Sequence, residues 1–455
     1  MIQKKLKDLI YAPDVPLRKA IGEMYRKGVT ICLVCGQKKK LLGILTRSDI
    51  KTAVLKGMDH KERLGSIMNK DFTWAKTGTP ERELRKLAQK PNRYGTGILE
   101  RIPLLDSRGR LMGLYSLPVS SRNDTPAVLV TGGAGYVGSH VSRILLTRGY
   151  RVTVLDKLQF GRESLKGLIK NKKFTLVDGD VTNLETLINA VASADHVIHL
   201  AGVVGDPASS LDPLQTMGQN HFATTMLIDV CKYYGVSRFI FASSCSVYGS
   251  GDTLLNEQSD LQPISLYAQS KLYAERELLR EKGDDFHPII LRFGTLYGLS
   301  SRMRFDLVAN TMTAHAFANK RITVDGGAQL RPLLHVEDAA LACVAALDAS
   351  LEHVSGEIFN VGDTKENYTI NDVALMVTKH LPQTEIIHLD TVKDRRNYRV
   401  SSEKINRIMK WKAARKLSEG IREMINAFKA GKYPLWSGKR HNNYLMLKSI
   451  LENLK

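Results

Sequence analysis

Cysteine is scarce in this chain, five in 455 residues, an odd number without framework spacing. A disulfide scaffold is therefore excluded, and a reducing compartment is expected. Cys32 and Cys35 do form a C-x-x-C, but it lies inside the apolar, β-branched run "TICLVC" and no second pair follows. They read as two buried strand cysteines, and no metal site is expected. Long apolar runs are missing as well. Nothing approaches the ~18 residues of a membrane span. The opening "MIQKKLKDLIYAPDV" has lysines but no apolar run of signal-peptide length, so the expected location is cytoplasmic. Nucleic-acid signatures are absent: no zinc-finger spacing, no aromatic RNP-like strand, no basic heptads. The net charge of +20 is concentrated in residues 1–125, which hold 26 Lys and Arg against 12 Asp and Glu. Most of it reads as solvated surface, although it also suits small ligands that carry phosphate.

What is present is the composition of a globular protein, 43% apolar and 25% charged, in a chain too long for one core. The first 120 residues repeat internally. "KKLLGILTRSDI" (Lys39–Ile50) returns as "GRLMGLYSLPVS" (Gly109–Ser120), with Gly43 and Gly113 equivalent. A helical segment headed by Pro16 or Pro80 precedes each copy. This helix-strand-strand repeat resembles a CBS domain pair, an α+β module that binds adenine or guanine nucleotides. The resemblance implies that Thr46 and Asp49 hold a purine nucleotide's ribose; the second copy departs from the pattern with Ser116 and Val119. A pair that only packs or dimerises is the alternative. The polar stretch "LPVSSRNDTPA" reads as a linker, placed at 121–126.

From residue 127 strands and helices alternate, as in a parallel doubly wound sheet. In "AVLVTGGAGYVGSHVSRILLTRGYRVTVLD" an apolar strand runs into Gly132-x-x-Gly135-x-x-Gly138, then a helix, then a second strand ending in Asp156. Such glycines let backbone approach a pyrophosphate, and the helix N-terminus offers free N–H groups and a positive dipole. Asp156 suits the two hydroxyls of an adenosine ribose and repels a 2′-phosphate, so NAD is preferred to NADP. Here the chain resembles the extended short-chain dehydrogenase/reductase family, over about 127–430. That implies a Rossmann-type doubly wound parallel sheet with a smaller C-terminal substrate subdomain. By likeness, Tyr136 and Val137 within the loop, Asp180 and Val181, and Leu200, Ala201 and Gly202 line the cofactor. His199 reads as a strand-end histidine without chemistry.

Tyr267 and Lys271 in "YAQSK" stand at i and i+4, on one helix face, and Ser244 ends a strand in "FASSCSVYG". A free tyrosine has a pKa of about 10, so a phenolate near neutrality needs roughly 3 units, about 4 kcal/mol, of help. The Lys271 ammonium and a positive nicotinamide ring are expected to supply it. The phenolate then takes the proton of an alcohol as its carbon gives up hydride, and Ser244 bonds the same oxygen. The resemblance also places Lys271 on the nicotinamide ribose.

Dehydratases of nucleotide sugars in this family read Thr-Asp-Glu where this chain has Ser244, Cys245 and Ser246. Neither serine nor cysteine replaces an acid that protonates a leaving hydroxide, so dehydration is not expected. A catalytic cysteine for C3 or C5 epimerisation would stand at Ser246; Cys245 is one residue off and faces away. Hydride chemistry at one carbon, most plausibly sugar C4, is left. The chain reads as a nucleotide-diphosphate-sugar 4-epimerase, GDP- or UDP-linked, with net 4-dehydrogenation as the alternative, since "SRMRFDLVAN" and "DRRNYRV" resemble a subgroup that includes GDP-heptose 4-dehydrogenases. A non-catalytic dinucleotide sensor would need neither Tyr267 nor Lys271. By the same likeness Arg331, Arg396 and Arg304 are expected on the substrate diphosphate and Asn220 near the active site, with Thr295 a departure from the usual R-x-x-N. Residues 431–455 read as a short helical tail of no assigned function. A homodimer or higher homo-oligomer is expected through the helix of Tyr267.

Overall fold

The computed structural model describes residues 6–26, 31–46, 49–50, 62–88, 101–116, 125–389, 391, 394 and 396–453. They form two compact units, Met1–Thr125 and Pro126–Lys455. The expected linker, 121–126, lies outside the described residues apart from Thr125 and Pro126.

In the first unit the sequence repeat becomes a structural one. Ile10–Tyr11 pairs parallel with Ile31–Cys35, which pairs antiparallel with Leu41–Thr46. Ala75–Lys76, Arg101–Leu105 and Leu111–Ser116 follow the same order and senses. Gly43 lies opposite Val34 and Gly113 opposite Leu104, and both ladders slip register at the next residue. The helices Leu17–Arg26 and Glu81–Ala88 begin directly after Pro16 and Pro80. Cys32 and Cys35 are buried in their strand. Thr46 and Asp49 hold each other: the Asp49 carboxylate accepts from Thr46 N–H (2.8 Å) and the Thr46 hydroxyl (2.7 Å), and Asp49 N–H donates back to that hydroxyl (3.3 Å). This is the reciprocal geometry of a helix capping box.

The second unit is built on a seven-stranded, all-parallel sheet. Its order is Glu357–Val361, His287–Phe293, Arg238–Ser244, His196–His199, Ala127–Thr131, Arg151–Asp156, Phe174–Asp178. Interior strands such as "AVLVT" are buried on both faces, which is why they read as continuous apolar runs. One face packs Val141, Leu145 and the helix Val336–Asp348; the other packs Leu187, Leu227, Ala274 and Leu278. Strand order reverses between Ala127–Thr131 and His196–His199, and a crevice opens there at the carboxyl ends. Beyond it the helices Val308–Asn319, Ile370–His380 and Leu417–Lys429 share a smaller core with Phe305, Leu333 and Phe428. The expected tail is not separate from this unit. Tyr433, Trp436 and His441 pack edge-on against Phe305, and the helix Asn443–Asn453 follows.

Candidate active site

A cavity of about 310 Å³ opens at the crevice. Its cofactor side is the turn after Ala127–Thr131. Gly132 has φ +70°, and a side chain at Gly138 would put its Cβ 2.1 Å from the Gly132 carbonyl, so this loop folds only with glycine. Asp156 accepts from Ala134 N–H and Leu158 N–H, each at 2.9 Å, which fixes the carboxylate at the cavity wall with acceptor capacity to spare. Burial pushes its pKa up. Lys157 pairs with Asp180 at 3.7 Å rather than with Asp156. Tyr136, Val137, Asp180, Val181, Leu200, Ala201 and Gly202 all line the same cavity. A glycine cradle ahead of the helix Gly138–Thr147, with an acid ending the next strand, fits the pyrophosphate and ribose of a dinucleotide.

Ser244, Tyr267 and Lys271 line the deep wall. Ser265 caps the helix Leu266–Arg280, its hydroxyl accepting from Ala268 N–H, so Tyr267 and Lys271 stand in the first two turns. The Ser244 hydroxyl accepts from Ser246 N–H at 3.1 Å and lies near enough to the Tyr267 phenol to pull its pKa down. Lys271 donates to the Ala242 carbonyl at 2.8 Å and faces the Phe241 ring. Burial pushes its pKa down to about 8, against the pull of Glu275 one turn on. The expected acidification of Tyr267 by Lys271 is not seen. Burial and then the Asp206 carboxylate push the phenol up to about 12, while Ser244, Arg304 and Arg396 pull it down. The cations that act most on the phenol are Arg304 and Arg396.

Behind the site Glu275 holds Arg292 through both oxygens, with the shorter contact at 2.7 Å, and also accepts from Ser243. Arg292 continues to the Tyr248 hydroxyl (3.0 Å), which reaches Asn360 (2.8 Å). His199 is buried between the Thr131 and Thr224 hydroxyls and pushed down to about 3, a neutral structural residue. Cys245 is buried against the Arg292 carbonyl, away from the cavity.

Of the substrate-side residues, Arg304 and Arg396 line the cavity and Asn220 and Arg331 do not. Arg304 is gripped bidentately by Asp306, at 3.0 and 2.8 Å. Arg396 pairs with Asp394 and Asp206. Arg331 turns into the protein, where it bonds Asp394 at 2.7 Å and the Arg396 carbonyl at 2.6 Å; it fastens the loop that presents Arg396. Asn220 ties down the loop after Gly202, accepting from Val203 N–H and donating to the Val203 carbonyl and Ser270. Its amide is fully used inside the protein. Thr295 lines the cavity.

Four residues escaped the sequence reading. Ser246 lines the cavity with a buried hydroxyl that has no partner among the described residues. Asp206 lies beside Tyr267, and Arg302 and Asn443 also line the cavity. Only Ser246 had a local signal, its position two residues beyond Ser244.

Fold and site together define a Rossmann-type dinucleotide enzyme with a Ser-Tyr-Lys constellation at its cavity. The chain belongs to the NAD dependent epimerase/dehydratase family, whose model matches residues 128–362, and NAD is its cofactor. A CBS domain model matches residues 7–56. The chain is similar to a UDP-glucose 4-epimerase of Bacillus subtilis, 30% identical over 269 residues, 54% of this chain and 79% of that one. It is also similar to UDP-glucuronic acid decarboxylase 1 of Xenopus tropicalis, 27% identical over 325 residues, 68% of this chain and 73% of that one. Among solved structures, the UDP-glucuronic acid 4-epimerase of Bacillus cereus in complex with UDP-glucuronic acid and NAD superposes with a TM-score of 0.62 at 26% identity, over 67% of this chain and 99% of its own. No helix among the described residues is long and apolar enough to cross a membrane.

Proposed function

We propose that this enzyme is a 4-epimerase of nucleoside-diphosphate sugars, with a UDP-linked hexose or hexuronate as substrate. The observation that carries the reading is the Ser244–Tyr267 hydroxyl pair facing the dinucleotide cavity with Lys271 one turn on. Tyr267 Oη takes the proton of the C4 hydroxyl, and Ser244 bonds the same oxygen as it becomes a carbonyl. When bound in this cavity, NAD would supply the hydride acceptor and donor for C4. Lys271 holds the cofactor ribose, and Arg304 and Arg396 supply positive charge for the substrate diphosphate. Ser246 offers an unpartnered hydroxyl to the sugar. Dehydration is disfavoured because the cavity-lining carboxylates Asp156 and Asp180 stand at the cofactor end, and Asp206 beside Tyr267 is held by Arg396 and Ser265. The similarity to UDP-sugar 4-epimerases favours return of the hydride over release of a keto sugar, as a GDP-heptose-type 4-dehydrogenase would do.

The proposal extends to regulation by a purine nucleotide at the N-terminal unit, supported by the CBS match. Thr46 and Asp49 already hold each other, so a ribose would share that carboxylate. It includes a cytoplasmic location and self-association through the adjacent exposed rings of Phe222 and Tyr273, joined by His221.

The test is mass spectrometry and NMR of the purified enzyme with UDP- and GDP-sugars. A new isomer of unchanged mass supports the epimerase. Loss of two hydrogens means a dehydrogenase, and loss of carbon dioxide from a uronate means a decarboxylase. Tyr267→Phe should lower turnover by about 10²–10⁴-fold; undiminished turnover would refute the catalytic assignment.

A further inference from the structure

Arg302 is a buried cation in the cavity wall on which Asp306 and Asp156 act only from beyond ion-pair distance. It is 7% exposed, and among the described residues no carboxylate pairs with it, because Asp306 is taken by Arg304. Its guanidinium stacks 3.6 Å above the Phe160 ring, and one Nη donates to Asn443 Oδ1 at 2.6 Å. Its Nε–H is buried without a hydrogen-bond partner. Burial and neighbouring Arg304 push its pKa down to about 9. A buried guanidinium bonded only to a neutral amide and an aromatic face, with its carboxylate neighbours out of ion-pair reach, is stabilised by an anion that accepts from its free Nε–H.

Its surroundings identify which anion. Asp156 and Tyr136 are close enough to act on its charge, and Phe160 stands four residues beyond Asp156. These are the residues around the glycine loop, where the pyrophosphate belongs. Asn443 also donates to the Val204 carbonyl at 3.2 Å and is anchored through its own N–H on Asp306 (3.1 Å). With Leu447 it brings the C-terminal helix into the cavity wall. The Bacillus cereus structure, covered over 99% of its length, matches only 67% of this chain, less than the whole of Pro126–Lys455, so part of this unit has no counterpart there.

We propose that Arg302 binds the diphosphate of the dinucleotide beside the glycine loop, and that Asn443 is the positioning residue that aims it. The inference rests on NAD occupying this cavity. Asn443 is neutral by design of the site: it orients the guanidinium without cancelling its charge.

The experiment uses the full-length holoenzyme. Bound NAD per chain and its dissociation rate are measured for wild type, Arg302→Met, Asn443→Ala and Asn443→Asp, with UDP affinity by calorimetry and thermal unfolding alongside. Arg302→Met should release NAD at least about tenfold faster, as expected for one charge-assisted contact, and leave UDP affinity unchanged. Asn443→Asp is the decisive variant. It places a carboxylate on Arg302, so the melting temperature should hold or rise while NAD is released faster than from Asn443→Ala. If Asn443→Asp keeps NAD as wild type does, Arg302 and Asn443 are merely structural and the inference falls. If UDP affinity drops while NAD is retained, the anion is the substrate's and the assignment to the cofactor is wrong. Wild-type protein that neither contains nor binds NAD would instead overturn the reading of the cavity itself.

Discussion

Ser265 donates its hydroxyl to Asp206 across 2.5 Å, and the same carboxylate pairs with Arg396. The cap of the catalytic helix is thereby wired to a cavity-lining arginine through the acid that most opposes ionisation of Tyr267. Because Asp206 raises the phenol's pKa and Arg396 lowers it, Asp206→Asn removes the first effect and frees the second. The acidic limb of the kcat/KM profile, which reports ionisation of the base, should move to lower pH. A pH–rate profile that stays in place would show that Asp206 does not act on Tyr267.

Lys271 is a buried ammonium that costs the fold stability. Its pKa is pushed from 10.5 to about 8 by burial, so the folded protein binds this proton less well than the unfolded chain. The cost is full below pH 8 and fades as pH rises toward 10.5, where the unfolded lysine also loses its charge. Lys271→Met keeps the stem and deletes the charge. The NAD-free variant should melt higher than wild type by a few degrees at neutral pH, with the gap closing above pH 8, while turnover is lost. Differential scanning calorimetry across pH measures both.

Glu275 and Arg292 are 2% and 1% exposed, and Arg292 is bonded through both nitrogens that face the acid. Replacing either alone leaves a buried charge unpaired, a loss of about 3–5 kcal/mol. Glu275→Leu with Arg292→Met removes both charges and should cost much less than the two singles added together. Denaturant unfolding of the four proteins decides it, and additive losses would mean that the pair contributes independently.

The parts of the site that were legible in the sequence are those in which local backbone demands a residue type. Gly132 and Gly138 stand where any side chain would collide, Asp156 ends the next strand, and Tyr267 and Lys271 are neighbours by helical period. Arg302 and Asn443 are 141 residues apart, and Ser265 and Asp206 are 59 apart. No periodicity announces such pairs; tertiary packing makes them. Arg331 shows the converse. Its charge was readable, but only the fold reveals that the side chain turns inward to Asp394. Thr46 and Asp49 were singled out as ribose ligands by resemblance, and the structure shows the two bonded to each other.

The outermost strand of the parallel sheet, Glu357–Val361, follows the helix Val308–Asn319 and the strand Leu330–His335 in the chain. A nascent polypeptide therefore presents His287–Phe293 with one bare edge while nearly seventy further residues emerge. At about 5–20 residues per second this window lasts on the order of seconds. Through that window an unpaired, largely apolar strand edge is open to stray strands, and the protein's yield in a cell should depend on chaperones that shield it.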